Sequence, residues 1–124
     1  MSYLTDRKRV HGLGSTNDGT HHFVTQRVTA VALLPLAILF ILPFARGLGD
    51  GHANVLATYA NPFNAIVAIL FFATAFTHLR MGLQVVIEDY VHGKTLRLAL
   101  LVANTLFCWL FALIGVFAIA KIAL

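Results

Sequence analysis

Three long stretches without a charged residue restrict this chain to a membrane protein. Residues 28–45, 62–79 and 98–120 contain no Asp, Glu, Lys or Arg, and His78 is the one histidine among them. A helix needs about 20 apolar residues to cross a hydrocarbon core of ~30 Å. The composition agrees, because 59% of the residues are hydrophobic and only 11% are charged, whereas soluble domains carry about 25% charged residues.

We predict an all-α membrane protein with three transmembrane helices, at about residues 24–46, 62–90 and 95–121. Backbone polar groups in lipid are satisfied only in helices or closed barrels, and these stretches lack the alternation of barrel strands. The helices form one membrane anchor, residues 24–124, after a polar N-terminal segment, residues 1–23. The second helix has clear limits, since Asn61 and Pro62 favour a helix start and Gly93 follows its end.

The basic residues predict how the helices are oriented. Six precede the first helix or lie in the second connection: Arg7, Lys8, Arg9, Arg27, Lys94 and Arg97. Arg46 lies in the first connection, about residues 46–61, together with Asp50, and Lys121 is near the C-terminus. The positive-inside rule then places the N-terminus in the cytoplasm and the C-terminus on the opposite side. Topology thus accounts for the net charge of +4, and we expect contact with membrane lipid and not with nucleic acid.

The parts of the chain outside the membrane are too short to form a catalytic domain. The polar segment is not expected to be a secretory signal peptide, because no apolar core directly follows its basic cluster. The single cysteine, Cys108, cannot form an internal disulfide or a CxxC redox pair. Any chemistry therefore requires a bound cofactor, a partner subunit, or both.

His78 is the most informative ionisable residue, because it lies within an apolar stretch. A helix turns about 100° per residue, so His78 shares one stripe with Thr74, Gly82 and Asp89, the last about 16 Å away along the axis. Gly82 would leave room beside the imidazole for a flat group. Three interpretations fit this position: axial ligation of a haem iron, a proton relay, and a packing histidine that hydrogen-bonds a neighbouring helix.

The polar residues that follow His78 also allow more than one interpretation. Arg80 lies about 200° around the helix from His78. We expect it to reach the interface through its long stem or to pair with a partner subunit or a cofactor carboxylate. Asp89 and Tyr90 end the helix, where a hydroxyl can donate a hydrogen bond to a carbonyl and an acid can deliver a proton. Tyrosine is also common at this depth without such a role.

Two segments resemble a known family. His78, ten intervening residues and then Asp89, Tyr90 and Val91 resemble the pattern in the small membrane-anchor subunit of succinate dehydrogenase, the cytochrome b small subunit of complex II. The sequence THHFVTQR at residues 20–27 is similar to the segment before the first helix in the same family. The layout of three helices with a cytoplasmic N-terminus also matches, so the resemblance covers most of the chain.

The resemblance implies roles for four residues. His78 matches the axial ligand of a haem b, and Arg27 matches a basic residue near the haem propionates. Tyr90 matches the residue that donates a hydrogen bond to a quinone carbonyl, with Asp89 close by and suited to proton delivery. The other histidines are expected to lie outside the spans. One histidine within a span implies either a haem shared with another chain, which would supply the second axial ligand, or no haem.

The resemblance also implies partners and a location. The partners would be a large cytochrome b anchor subunit, an iron–sulfur subunit and a flavoprotein subunit, with ubiquinone or menaquinone as the substrate reduced at the membrane boundary. The alternative from the residues alone is a small proton-relay or transport subunit in which His78, Glu88 and Asp89 pass protons. We expect the bacterial inner membrane in preference to the mitochondrial one, because no Arg/Ser-rich transit segment is present.

Overall fold

The computed structural model describes residues 5–11, 18–47 and 51–124. In chain order the helices are α1 (Asp6–His11), α2 (Asp18–Gly47), α3 (Gly51–Ala60), α4 (Pro62–Tyr90) and α5 (Lys94–Ala123). Three of them, α2, α4 and α5, are long and apolar enough to cross a membrane. The predicted all-α membrane protein with three spans is therefore confirmed.

The helices differ from the predicted ones mainly before and after the first span. α2 begins at Asp18, so it includes residues 18–23 of the segment that we predicted to be polar and separate. The first connection contains a short helix, α3, which we did not predict. Residues 1–4, 12–17 and 48–50, and with them Asp50, lie outside the described part of the chain. The division into two parts and the orientation across the membrane stay predictions.

α4 begins and ends where its flanking residues predict. The Asn61 side chain accepts a hydrogen bond from the Phe63 backbone N–H at 2.9 Å, and Pro62 occupies the first turn. The Asn61 side chain thus pairs one of the N–H groups that lack a partner at a helix start, and Pro62 has no N–H group that would need one. At the other end the Val91 N–H donates to the Ile87 carbonyl, and Gly93 caps the start of α5.

α4 is the central helix of the bundle. It packs against α2 on one side and α5 on the other, and within the described chain α2 and α5 do not contact each other. α3 lies against all three long helices, and its Tyr59 is buried with Ala65, Ala68 and Ile119. Stacked phenylalanines continue this core along α2 and α4, with Phe40 and Phe71 ring centroids 4.5 Å apart.

Most of the apolar surface of the bundle faces outwards. Leu34 on α2, Ile66 on α4 and Phe117 on α5 are each more than half exposed. In a membrane the surroundings of such side chains are lipid or other subunits, because lipid tails are as apolar as the side chains. The three helices thus expose faces on which further chains can pack.

Candidate functional site

His78 lies on the face of α4 that packs against α2. Its Nδ1 atom is 3.0 Å from Thr29 Oγ1, and its Nε2 atom is 3.5 Å from Gln26 Nε2. Both ring nitrogens therefore face polar atoms of α2, within a bundle whose other contacts are mostly apolar. The ring is only partly buried, because a groove opens beside it.

This groove, the His78 groove, runs between α2 and α4 near the start of α2. Its volume is about 360 Å³, at the lower end for ligand pockets, which span about 300–1,000 Å³. It is lined by His22, Phe23, Gln26, Arg27, Ala30, His78 and Val85. Four of these side chains, His22, Gln26, Arg27 and His78, can hydrogen-bond or carry charge, and none of the lining residues is a carboxylate. The groove is suited to a partly polar ligand with negative groups.

Two buried polar atoms at the His78 groove lack a partner. His22 Nε2 and Gln26 Oε1 make no hydrogen bond among the described residues. Unpaired buried polar atoms cost about 1–3 kcal/mol each, so they indicate that something else normally contacts them. We expected His22 and its neighbour His21 to lie outside the span. Because α2 begins at Asp18, both are helical, and His22 belongs to the groove.

We expected Gly82 to leave an empty space beside the imidazole, and it does not. A Cβ atom added to Gly82 would lie 3.5 Å from Gln26 Nε2, so the Gln26 amide fills that space. The same amide lies over His78 Nε2. A ligand atom can therefore reach Nε2 only if the Gln26 side chain turns away.

Arg27 is exposed and lies at the edge of the groove. Its guanidinium carbon is 5.2 Å from the centroid of the Phe23 ring, within the range of a cation–π contact. This contact holds the cation beside the groove while leaving its N–H donors free to bind an anion. The structure thus brings two of the predicted site residues, Arg27 and His78, to the same groove.

Asp89 and Tyr90 do not lie in the His78 groove. Both are exposed at the end of α4, and Tyr90 is 78% exposed. The twelve residues from His78 to Tyr90 correspond to about 18 Å of helix. Val85 lines the groove, and Asp89 is one turn further on the same face. A site at this end of α4 would be open on the chain alone.

Arg80 faces α5 and not the His78 groove, in agreement with its predicted angle around the helix. Its backbone carbonyl accepts a hydrogen bond from Asn104 Nδ2 at 2.8 Å. Its side chain lines a mostly apolar cavity of about 150 Å³ between α4 and α5, beside Phe76, Cys108 and Trp109. The two partners that we predicted for the Arg80 cation, a partner subunit and a cofactor carboxylate, are not part of this chain. Both interactions therefore stay predictions.

The described residues contain no group of three or more His, Cys, Asp and Glu side chains that could hold a metal ion. His78 and His22 are the two histidines that line the His78 groove. Thr29, Gln26 and His22 are the site residues that sequence reasoning missed. They recur every three or four residues along α2, a spacing that places them on one helix face.

Comparisons with known proteins agree on one family. Residues 1–117 match the family model described as succinate dehydrogenase/fumarate reductase transmembrane subunit. A succinate dehydrogenase hydrophobic membrane anchor subunit of Paracoccus denitrificans is 36% identical over 124 residues, which cover 100% of this chain and 95% of the relative. The subunit of the same name from Rickettsia bellii is 36% identical over 95 residues, covering 76% and 75%. No solved structure matches the chain.

Proposed function

Since the chain belongs to the succinate dehydrogenase/fumarate reductase transmembrane subunit family and is a membrane-anchor subunit of succinate dehydrogenase, we propose that His78 supplies one axial ligand to a haem b. The partner would be a second anchor chain that supplies the other ligand. The relatives from Paracoccus and Rickettsia are bacterial, and the chain is a multi-pass protein of the bacterial inner membrane.

The observation that carries this proposal is the position of His78 at the groove. A neutral imidazole nitrogen is the ligand that b-type haem iron binds. His78 and Gln26 both line the groove, and the Gln26 amide nitrogen is 3.5 Å from His78 Nε2. A packing histidine would be expected to have both nitrogens paired at good distances, whereas the Nε2 contact, at 3.5 Å, is at the limit of a hydrogen bond.

Two other residues of the groove, Arg27 and His22, are suited to contact the polar substituents at the edge of a haem. Haem b carries propionates, and Arg27 at the edge of the groove has free N–H donors for a carboxylate. His22 Nε2, which has no partner among the described residues, is a second group that could donate to or accept from a polar substituent. When bound, the haem would supply a one-electron carrier within the membrane.

The site needs a second chain for two reasons. His78 would supply one ligand, and a six-coordinate b-type haem takes two. The His78 groove is also open on one side and small, so this chain would cover only part of a macrocycle. A large cytochrome b anchor subunit would cover the rest, and the iron–sulfur and flavoprotein subunits would dock on the cytoplasmic side.

We place the quinone site at the exposed end of α4. Tyr90 is free to donate its hydroxyl hydrogen to a quinone carbonyl, and Asp89 is exposed to water, from which it could deliver a proton. The partner subunits would close this site, because on the isolated chain it has no walls. Orientation with this end on the cytoplasmic side follows from the distribution of basic residues.

The proton-relay alternative gains no support from the geometry. The relay that the sequence allows, through His78, Glu88 and Asp89, needs one of these acids within hydrogen-bond reach of His78. Among the described residues no acid lines the His78 groove, and Asp89 is about 16 Å away along the helix. Glu88 instead accepts a hydrogen bond from Gln84 at 2.9 Å, also at the end of α4.

The test is a reduced-minus-oxidised absorption spectrum of the purified complex with His78→Ala. We expect the b-type signal to be lost, while succinate oxidation with an artificial acceptor continues. His52→Ala is the matched control, since His52 is exposed on α3 and its loss should leave the spectrum unchanged. An unaltered spectrum in the His78→Ala complex would refute the proposed ligand.

A further inference from the structure

We propose that Thr29 is a positioning residue that holds His78 in the tautomer protonated at Nδ1, so that the lone pair of Nε2 faces the groove. The tautomer follows from contacts within this chain. Its consequence for a bound metal rests on the haem role proposed above. Thr29 would act through His78 and would not touch the haem itself.

The Thr29 hydroxyl has partners on its own helix as well as on α4. A threonine hydroxyl has one hydrogen to donate and two lone pairs to accept with. Thr29 Oγ1 lies 2.8 Å from the Thr25 carbonyl and 3.1 Å from the Gln26 carbonyl, both of its own helix. The hydrogen is therefore engaged with the α2 backbone, and towards His78 Nδ1 at 3.0 Å the oxygen can only accept.

The other ring nitrogen, His78 Nε2, carries the lone pair in this tautomer. If Nδ1–H donates to Thr29, a neutral imidazole must carry its lone pair on Nε2. Gln26 Nε2, an amide nitrogen that only donates, lies 3.5 Å from His78 Nε2. The contacts on both sides of the ring thus select the same tautomer.

The Thr29 side chain is held rigidly by its own helix. The hydroxyl of a β-branched residue that bonds the carbonyl four residues earlier has a fixed χ1 angle. Thr29 is therefore anchored by its own helix before it meets His78, and it restrains the imidazole between α2 and α4. Gln26 differs, because its Oε1 atom has no partner among the described residues. Thr29 thus makes a fixed contact at His78 Nδ1, and Gln26 makes a contact at Nε2 that a ligand can displace.

The consequence for a bound metal follows from hydrogen bonding at the remote nitrogen. An acceptor at Nδ1–H fixes the ring orientation and makes the ligating nitrogen more basic. A more basic ligand favours the ferric over the ferrous state. Replacing Thr29 by Val removes the acceptor and keeps the shape of the side chain, so the reduction potential should rise and the haem should be held less firmly.

The experiment is a redox titration of the haem in the purified complex, with electron paramagnetic resonance of the ferric state. At the wild-type midpoint potential, Thr29→Val should lower the ferric-to-ferrous ratio roughly three- to tenfold, the effect of one hydrogen bond. A tenfold change corresponds to about 59 mV for one electron. Thr29→Ser keeps the hydroxyl and should restore both the midpoint and the ferric g values.

Thr105→Val is the matched control. Thr105 also donates its hydroxyl hydrogen to a carbonyl of its own helix, that of Leu101 at 2.9 Å, but it lies on α5, away from His78. If Thr29→Val prevents assembly, Thr29→Ala removes the same acceptor with a smaller side chain. Wild-type midpoints and g values in assembled Thr29→Val or Thr29→Ala complexes would overturn the inference.

The two proposals fail separately. If His78→Ala keeps the b-type spectrum, the haem role is wrong and the metal part of this inference ends with it. If His78→Ala loses the spectrum but removal of the Thr29 hydroxyl changes neither the potential nor the g values, the haem role stands and the positioning role of Thr29 is wrong.

Discussion

Gly115 on α5 lies against the Phe72 ring of α4, and its replacement by Ala tests the packing of the bundle. A Cβ atom added to Gly115 would lie 2.7 Å from Phe72 Cδ1, 2.9 Å from Cγ and 3.1 Å from Cε1. Ordinary carbon contacts are about 3.5–4.0 Å. The Phe72 ring would therefore have to move by roughly 1 Å for a methyl group to fit.

The ring has little freedom to move. Phe72 packs edge-on against Phe40 at 5.6 Å and Phe71 at 5.9 Å, and it is stacked with Phe76 at 6.4 Å between ring centroids. Overpacking a closely packed site costs about 1–3 kcal/mol. Ala gains back about 0.8–1 kcal/mol over Gly through its higher helix propensity. We therefore expect Gly115→Ala to be between neutral and about 2 kcal/mol less stable than the wild type.

The matched control separates the two contributions. A Cβ atom on Gly19, in α2, would meet nothing within 4 Å, so Gly19→Ala should show only the gain in helix propensity. The difference between the two variants should then be about 1–3 kcal/mol. The free energy of unfolding of the full chain can be measured in mixed micelles by the fluorescence of Trp109, the only tryptophan.

A double variant identifies the clash as the cause. Phe72→Leu should be destabilising alone, but it makes space for the new methyl group of Gly115→Ala. We expect the two changes together to cost less than their sum, with a coupling of about 0.5–3 kcal/mol. Equal stabilities of Gly115→Ala and Gly19→Ala, or strict additivity with Phe72→Leu, would refute this account of the α4–α5 contact.

Three further predictions concern two tyrosines, Tyr59 and Tyr90. Tyr59 is 3% exposed and its hydroxyl has no hydrogen-bond partner among the described residues, so Tyr59→Phe should raise the free energy of unfolding by about 1–3 kcal/mol. Burial also raises the pKa of the Tyr59 hydroxyl above its usual value. Because the hydroxyl then ionises more readily in the unfolded chain, the free energy of unfolding does not depend on this ionisation below about pH 10 and falls as the pH rises through the folded-state pKa. Tyr59→Phe should therefore reduce the fall in the unfolding midpoint measured across this range. Tyr90→Phe should lower quinone reduction by the complex about tenfold or more while leaving succinate oxidation with an artificial acceptor intact, and an equal loss of both activities would count against a quinone role.

The three spans could be predicted because a bilayer sets a minimum length for an apolar helix. The limits of α4 could be predicted from Asn61 and Pro62, whose chemistry favours a helix start. α3 was missed because it is too short to span a membrane and lies in a connection that we interpreted as a loop. The start of α2 was missed because polar residues end an apolar stretch without ending a helix, and His22 continues the helix beyond that stretch.

Only the part of the site that lies on α4 could be predicted from the sequence. His78 is conspicuous in its own apolar stretch, but its partners lie on another helix, and sequence spacing within α4 contains no information about them. A signal was present on α2, where His22, Gln26 and Thr29 recur every three or four residues at the edge of an apolar stretch. Such spacing places three polar side chains on one helix face, which in a membrane must meet something polar.

The central position of α4 limits where a partner can complete the proposed haem site. His78 faces α2, and Arg80 faces α5, so one helix presents two different polar groups to two different sides. Within the described residues α2 and α5 do not contact each other, and the His78 groove opens between α2 and α4 alone. A chain that supplies the second ligand therefore has to dock over the α2–α4 side, because α5 lies behind α4. The Arg80 side is then left for lipid or for another subunit, and a cross-link between α5 and the ligand-bearing partner helix would be incompatible with this arrangement.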